Sequence, residues 1–91
     1  MRGKRDTNHK QIVTELRECG FSVLDLGDVG DGVPDLLVSR GGWTALVECK
    51  TRRGNKLPSE LLTADQRTFH AGWRGRIIIA FESGDVVSAF N

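Results

Sequence analysis

The stretch GVPDLLVSRGGWTALVECKT, residues 32–51, decides the fold that we predict for this chain. Two apolar runs of strand length, 33–39 and 43–50, flank an Arg-Gly-Gly turn at 40–42, which is the pattern of a β-hairpin. The Val and Leu content of both runs is typical of strands that are buried in a sheet. The sequence therefore predicts a buried hairpin around which the other elements are arranged.

Helical and strand patterns surround this hairpin along the chain. The other predicted elements are a helix over 7–19 capped by Asp6 or Thr7, a strand over 21–26, a helix over 64–71 capped by Thr63, a strand over 76–81 buried on both faces, and a last strand over 86–90. The glycine-rich loop before Asp35 is expected to turn the chain sharply. The resulting order, αβββαββ, predicts an α/β fold with a mixed central sheet flanked by helices.

The length of 91 residues is that of one domain, and we assign residues 1–91 to it, with 1–6 as a flexible basic arm. The formal net charge is only +1, but Lys and Arg cluster in two places. The clusters contain Lys4 and Arg5 near the N-terminus, and Arg52, Arg53 and Lys56 directly after the hairpin. Such clusters suit a DNA backbone as partner. No signal peptide and no apolar run of about 18 residues is recognisable, so we expect a cytosolic protein without a membrane partner.

The charged residues of the hairpin lie at its open end. Glu48 and Lys50 share one face of their strand, and a tight turn brings Asp35 next to Glu48. Two neighbouring carboxylates repel each other unless a cation lies between them. Mg²⁺ accepts such oxygen ligands together with a backbone carbonyl, here that of Cys49. Since Lys50 would assist the attacking water or stabilise charge on a phosphate, the pattern predicts a metal-dependent phosphodiesterase.

These residues also resemble a known nuclease signature. Pro34-Asp35, followed thirteen residues after the Asp by Glu48-Cys49-Lys50, resembles the motif of the PD-(D/E)xK nuclease superfamily. Three further features look more specifically like the VRR-NUC branch. They are the segment GVPDLLV, the segment LTADQ after the third strand, and Glu15 in the first helix. Small stand-alone members of that branch occur in phages, and the archaeal Holliday junction resolvases share its core.

The resemblance implies a restriction-endonuclease-like fold and a Mg²⁺- or Mn²⁺-dependent endodeoxyribonuclease inside a bacterial or phage-infected cell. Asp35 and Glu48 would bind the metal, and Lys50 would be the catalytic lysine. Glu15 would be an accessory acid that holds a second metal or its water, and Gln66 a supporting polar residue. By the same resemblance, branched DNA such as a Holliday junction is the expected substrate. Two symmetric cuts call for a two-fold homodimer.

Alternatives remain open at this stage for the function and for single residues. A non-catalytic nucleic-acid-binding or assembly module would keep the fold without the reaction, and a nicking or restriction-like nuclease would cut linear DNA. Glu15 flanks the apolar stripe of its helix, where such residues often face water. Gln66 has the position of the second partner in a capping box, which does not exclude a place in the site. His70 is interpreted only as a favourable charge near a helix end.

Overall fold

A four-stranded sheet lies at the centre of the structure, which is a computed structural model that describes residues 7–91. The elements in chain order are α1 (His9–Glu18), β1 (Ser22–Asp25), β2 (Leu36–Arg40), β3 (Trp43–Cys49), a short 3₁₀ helix (Pro58–Leu61), α2 (Ala64–Gly72), β4 (Ile77–Ala80) and α3 (Ser83–Phe90). The predicted arm, the proposed cap at Asp6, and the basic residues Lys4 and Arg5 lie outside the described residues. The predicted α/β class, with helices flanking a mixed sheet, is confirmed.

The sheet has the strand order β1-β2-β3-β4. Its first three strands are antiparallel, and β4 runs parallel to β3. A parallel pair needs a crossover connection, and α2 lies in it. The β2–β3 register pairs Leu36 with Val47 and Arg40 with Trp43, so the predicted hairpin is confirmed. Gly41 and Gly42 supply the turn with φ angles of 61° and 82°, as tight hairpin turns require.

One face of the sheet carries the hydrophobic core. Val23, Val38 and Ala45 stand side by side in the register and face the same way. Helices α1 and α3 contact each other and complete this core. Its buried side chains are Ile12, Leu16, Phe21, Leu36, Val38, Ala45, Val47, Cys49, Ala80 and Val86. Side chains at the alternate positions of β3, including Glu48, point to the opposite face.

The chain after β4 forms α3, so the predicted last strand over 86–90 is wrong and the order is αβββαβα. The Asp85 carboxylate accepts the N–H groups of Phe81 at 2.8 Å and Glu82 at 3.3 Å, which satisfies backbone donors at the start of the helix. Val86 is fully buried, and Phe90, one turn later, packs against the core. The Val-rich sequence favours a strand, but packing against the core overrides that propensity.

Strand β4 is consequently an edge strand in the sheet of residues 7–91. Ile77, Ile78 and Ile79 are half-buried, and only Ala80 is fully buried. The prediction that this strand is buried on both faces is therefore wrong. In the described part of the chain, none of the helices combines the length and the apolar character needed to cross a membrane.

At the start of α1, the expected cap Thr7 is not the N-cap residue. Asn8 holds that position without a side-chain hydrogen bond to its own helix. Its amide nitrogen instead donates to the carbonyl oxygens of Lys50 at 3.0 Å and Phe81 at 2.8 Å. Asn8 therefore joins the start of α1 to the residues that follow β3 and β4.

Candidate active site

The two residues predicted to be neighbours, Asp35 and Glu48, lie on adjacent chain segments at the open end of the hairpin. One step beyond the Leu36–Val47 pair, the register sets Asp35 opposite Glu48. Asp35 Oδ2 accepts the backbone N–H of Cys49 at 2.7 Å, so the carboxylate lies against the end of β3. The N–H and C=O of a strand residue point to the same neighbour, which places the Cys49 carbonyl on the Asp35 side of β3. Asp35, Glu48 and the Cys49 carbonyl therefore all belong to the open end of the hairpin.

The loop before Asp35 turns sharply, as the glycines predicted. Gly30, Asp31 and Gly32 have positive φ angles of 79°, 55° and 79°, which side chains rarely permit. A Cβ atom on Gly32 would overlap the backbone carbonyl oxygen of Asp65 in the first turn of α2. The loop therefore packs backbone to backbone against α2, and this close approach sets the position of Asp35 relative to that helix.

Glu48 is the most unusual residue of the site because only 1% of it is exposed. Two side chains of α2 contact its carboxylate. Gln66 Nε2 lies 3.3 Å from Glu48 Oε2, and His70 Nε2 lies 3.2 Å from Glu48 Oε1. A buried carboxylate needs such partners, since leaving it without hydrogen bonds costs several kcal/mol. Helix α2 thus holds Glu48 from the face of the sheet opposite the core.

Gln66 combines the two roles that its sequence position suggested. Its backbone N–H donates to Thr63 Oγ1 at 3.2 Å, and its Oε1 accepts the Thr63 N–H at 2.9 Å. This is the reciprocal capping box, and Thr63 is the N-cap of α2 as predicted. Because the amide oxygen is used in the cap, the amide nitrogen is the atom presented to Glu48. The cap therefore determines which end of the amide enters the site.

His70 is the site residue that the sequence interpretation missed. It lies four residues after Gln66, and side chains with this spacing share a face of a helix. That spacing was a usable signal, but it required knowing that Gln66 faces the hairpin. Burial and the positive charge of Lys50 lower the pKa of His70, which favours the neutral imidazole. A neutral ring protonated at Nε2 donates to Glu48 without cancelling its negative charge.

Lys50 follows β3 directly, and its backbone is fixed on two sides. Its N–H donates to the Ala80 carbonyl at 2.9 Å, and its own carbonyl accepts the Asn8 amide. Its side chain lines a cavity of about 310 Å³ together with Arg53 and Lys56. The other lining residues are Thr51, Glu60, Leu61 and Thr63. Three cationic side chains and the Glu60 carboxylate therefore border one concave surface next to the end of β3.

The predicted DNA-binding cluster is divided by the structure. Arg53 and Lys56 line the cavity, whereas the Arg52 guanidinium lies 4.1 Å from the ring centroid of Phe81. A guanidinium over an aromatic face gains a cation–π interaction, so Arg52 has a structural contact of its own. A role in DNA binding remains a prediction for all three residues.

Glu15 is not brought to the carboxylate pair. Its oxygens accept from Ser83 Oγ at 2.8 Å and from Gln11 Nε2 at 3.3 Å. Helix α1 packs on the core face of the sheet, while Glu48 points to the opposite face. The predicted role of Glu15 as an accessory acid therefore receives no support from the geometry, and the Ser83 contact accounts for its position between α1 and α3.

The donor set fits a hard divalent cation in its chemistry. Carboxylate and carbonyl oxygens are the ligands that Mg²⁺ prefers, and Mg²⁺ usually keeps several waters. A carboxylate offers about four lone-pair positions, so it can accept hydrogen bonds and bind a cation at the same time. Within residues 7–91, no group of three or more His, Cys, Asp and Glu side chains is arranged to hold a metal.

A comparison with protein families decides the relationship. The model of the archaeal Holliday junction resolvase family (Hjc) matches residues 1–82 of the chain. The chain belongs to the archaeal Holliday junction resolvase family. This family is part of the PD-(D/E)xK nuclease superfamily, so the superfamily predicted from the Pro-Asp and Glu-x-Lys motifs is confirmed. No match was found among curated proteins or among solved structures.

Membership in the Hjc family agrees with the fold. The matched segment, residues 1–82, ends two residues after β4, so it contains the whole sheet and α2. The mixed sheet flanked by helices is compatible with the restriction-endonuclease-like fold of this family. The family implies a nuclease.

Proposed function

We propose that the protein is a Mg²⁺- or Mn²⁺-dependent DNA endonuclease that cuts branched DNA of the Holliday junction type. The observation that carries this proposal is the β2–β3 register, which sets Asp35 opposite Glu48 at the open end of the hairpin, two residues before Lys50. Binding DNA alone gives no reason to place two carboxylates beside a phosphate, since like charges repel. The matching family is named for a junction resolvase, which supports the choice of substrate.

The residues that would hold the metal are Asp35, Glu48 and the carbonyl of Cys49. A divalent cation supplies a Lewis acid that lowers the pKa of water and offsets charge on a phosphate. Asp35 and Glu48 would fix the position of that charge, because the first is held by a backbone N–H and the second by α2. Lys50 would orient the attacking water and stabilise negative charge that develops on the scissile phosphate.

The cavity beside Lys50 supports contact with a DNA backbone. Arg53 and Lys56 line it with Lys50, so three positive charges lie on the path that leaves the site. Phosphate contacts of this kind position a nucleic acid without reading its sequence. We include Arg52 in the wider basic surface, although its stacking on Phe81 limits its reach.

We further propose a homodimer and a place in the VRR-NUC branch of the superfamily. A junction has two strands to cut, and two sites related by a two-fold axis supply two symmetric cuts. Sedimentation equilibrium would test the dimer, with an expected mass twice the 10.0 kDa of the chain. A protein that is monomeric at concentrations where it makes paired cuts in a junction would contradict the homodimer.

The sequence segments GVPDLLV and LTADQ support the VRR-NUC branch by resemblance alone.

A cleavage assay tests the reaction. A labelled four-way junction and a linear duplex of matched sequence are incubated with Mg²⁺, Mn²⁺ or EDTA and analysed on denaturing gels. We expect paired cuts in the junction, lost in EDTA, and slowed about 100-fold or more by Lys50→Ala, as for loss of a charge-stabilising donor. Lys10→Ala is the matched control, because it removes the same charge from the exposed side of α1.

Asp35→Asn separates catalysis from binding in the same assay. It removes a proposed metal ligand and one negative charge, so cleavage should be lost while junction binding in EDTA is kept or strengthened. Equal cutting of junction and linear DNA would retain the nuclease and reject the junction preference. Binding without cutting in any lane would favour the non-catalytic module.

A further inference from the structure

Two side chains of α2 determine the environment of the Glu48 carboxylate. Gln66 and His70 are four residues apart and contact different oxygens, at 3.3 Å and 3.2 Å. Each oxygen therefore has one nitrogen partner from the same helix face. With 1% of Glu48 exposed, bulk water is not available to replace a lost partner. The carboxylate is held at two points, which restricts its rotation about the last side-chain bond.

His70 is suited to this position because of the atom that it presents. Nε2 points to the carboxylate, and the tautomer protonated there donates a hydrogen bond as a neutral ring. A Lys or Arg at the same place would form an ion pair and cancel the charge that attracts a cation. These two donors use two of the about four lone-pair positions that a carboxylate offers.

We propose that His70 is a positioning residue which, with Gln66, fixes Glu48 in the orientation needed to share a divalent cation with Asp35. This inference rests on the proposed function and adds a residue to it. Side chains that hydrogen-bond to a metal ligand orient it, and their removal typically lowers metal affinity or activity about 10–100-fold. His70 would act through Glu48 and would not itself touch the DNA or the metal.

Calorimetric titration with Mn²⁺ in the absence of DNA tests the proposal. His70→Phe keeps an aromatic ring but removes the donor, and we expect Mn²⁺ affinity to fall about 10–100-fold. His70→Gln keeps a side-chain N–H donor and should recover most of that affinity, whereas His70→Asn is too short and should not. Thr68→Ala is the control on the same helix, since its exposed hydroxyl bonds only to the Ala64 carbonyl, and it should bind Mn²⁺ like the wild type.

Urea unfolding of the same variants, with Glu48→Gln in a double-mutant cycle, separates positioning from folding. The proposal is supported if the two substitutions have non-additive effects on the free energy of unfolding and the His70 variants also lose Mn²⁺ affinity. The proposal is overturned if the unfolding free energies are non-additive but both His70→Phe and His70→Asn bind Mn²⁺ like the wild type, because the contact is then only structural. If His70→Phe does not fold, the comparison of His70→Gln with His70→Asn decides by the same criterion.

Failure of this inference is distinguishable from failure of the proposed function. A wild-type chain that binds no Mn²⁺ and cuts no DNA overturns both. A wild-type chain that binds Mn²⁺ and cuts junctions, with the His70 variants equal to it, overturns the positioning role alone.

Discussion

At the scale of single residues, Gln66 shows how one side chain serves the fold and the site together. Its oxygen completes the cap of α2, and its nitrogen consequently faces the buried carboxylate of Glu48. A Glu at this position would form the same capping box, which is common in proteins. It would place a second carboxylate against Glu48, however, and the site therefore requires the amide where the helix alone would accept either residue.

We expect Gln66→Glu to destabilise the protein by about 1–3 kcal/mol near pH 7, because the introduced carboxylate meets Glu48 in a buried place. The repulsion raises the pKa of the introduced group in the folded state. A carboxyl group of raised folded-state pKa costs its full stability penalty above that pKa, and the penalty is recovered as the pH falls from the folded to the unfolded pKa. Urea unfolding at pH 7 and pH 4 measures this difference against wild type. A variant that is equally destabilised at both pH values would contradict the charge explanation.

The residues of the site differ in how far sequence alone could predict them. Asp35 and Glu48 were predictable as neighbours because a tight hairpin turn fixes the register between them. Gln66 carried two signals, the capping box and the resemblance to nucleases. His70 carried neither, since its contact with Glu48 depends on the way α2 lies across the sheet. That arrangement is set by tertiary packing, which no local pattern encodes.

At the scale of elements, the approach of the Gly32 loop to α2 connects Asp35 with the helix that holds Glu48. Gly30 and Gly32 provide a matched pair of positions, because both have a φ of 79°. No atom lies within 4 Å of a Cβ built on Gly30, whereas one on Gly32 would meet the Asp65 backbone. A comparison of Ala substitutions therefore separates the cost of the backbone conformation from the cost of moving α2.

We expect Gly30→Ala to cost about 1 kcal/mol, the conformational penalty of a side chain at positive φ. Gly32→Ala should cost at least 1–3 kcal/mol more, as overpacking does, and should also slow junction cleavage, because Asp65 and the first turn of α2 must shift. Thermal unfolding and cleavage rates of both variants check this. Equal stability and equal rates would show that the loop and α2 are not coupled.

The elements themselves were predictable where periodicity and turn chemistry agreed. The hairpin, α1 and α2 have apolar spacing and punctuation that indicate the same structure. The segment that forms α3 gave conflicting signals, with Val residues that favour a strand and an Asp at capping position. Whether the segment becomes a helix or a strand depends on its packing against α1 and β4. That packing is known only once the sheet is assembled.

At the scale of the whole molecule, the near-neutral net charge of +1 contrasts with a local concentration of cations beside the site. Binding of a polyanion depends on the local arrangement, because each neutralised phosphate releases counterions. Arg53 and Lys56 line the cavity, but Arg52 stacks on Phe81. Substitutions of Arg52, Arg53 and Lys56 should therefore differ in their effect on DNA affinity.

We expect Arg53→Gln and Lys56→Gln each to reduce the salt dependence of junction binding by about one unit in the slope of log K against log salt. Arg52→Gln should leave the slope nearly unchanged and instead cost about 0.5–1 kcal/mol of stability through the lost cation–π contact. Binding titrations in EDTA at several salt concentrations measure the slopes. Equal slopes for the three variants would mean that lining the cavity makes no difference to how these residues contribute to DNA binding.

Helix α2 carries Gln66 and His70, which contact Glu48, yet none of the residues of α2 is fully buried. Segments with little buried surface open locally at a lower free energy than the whole domain unfolds. Warming should therefore detach α2, and with it the support of Glu48, while the sheet is still folded. Cleavage activity would disappear at a lower temperature than the circular dichroism of the sheet, and amide hydrogens of residues 66–72 would exchange faster than those of β3. Heat inactivation of this nuclease would thus be reversible and local before it becomes global.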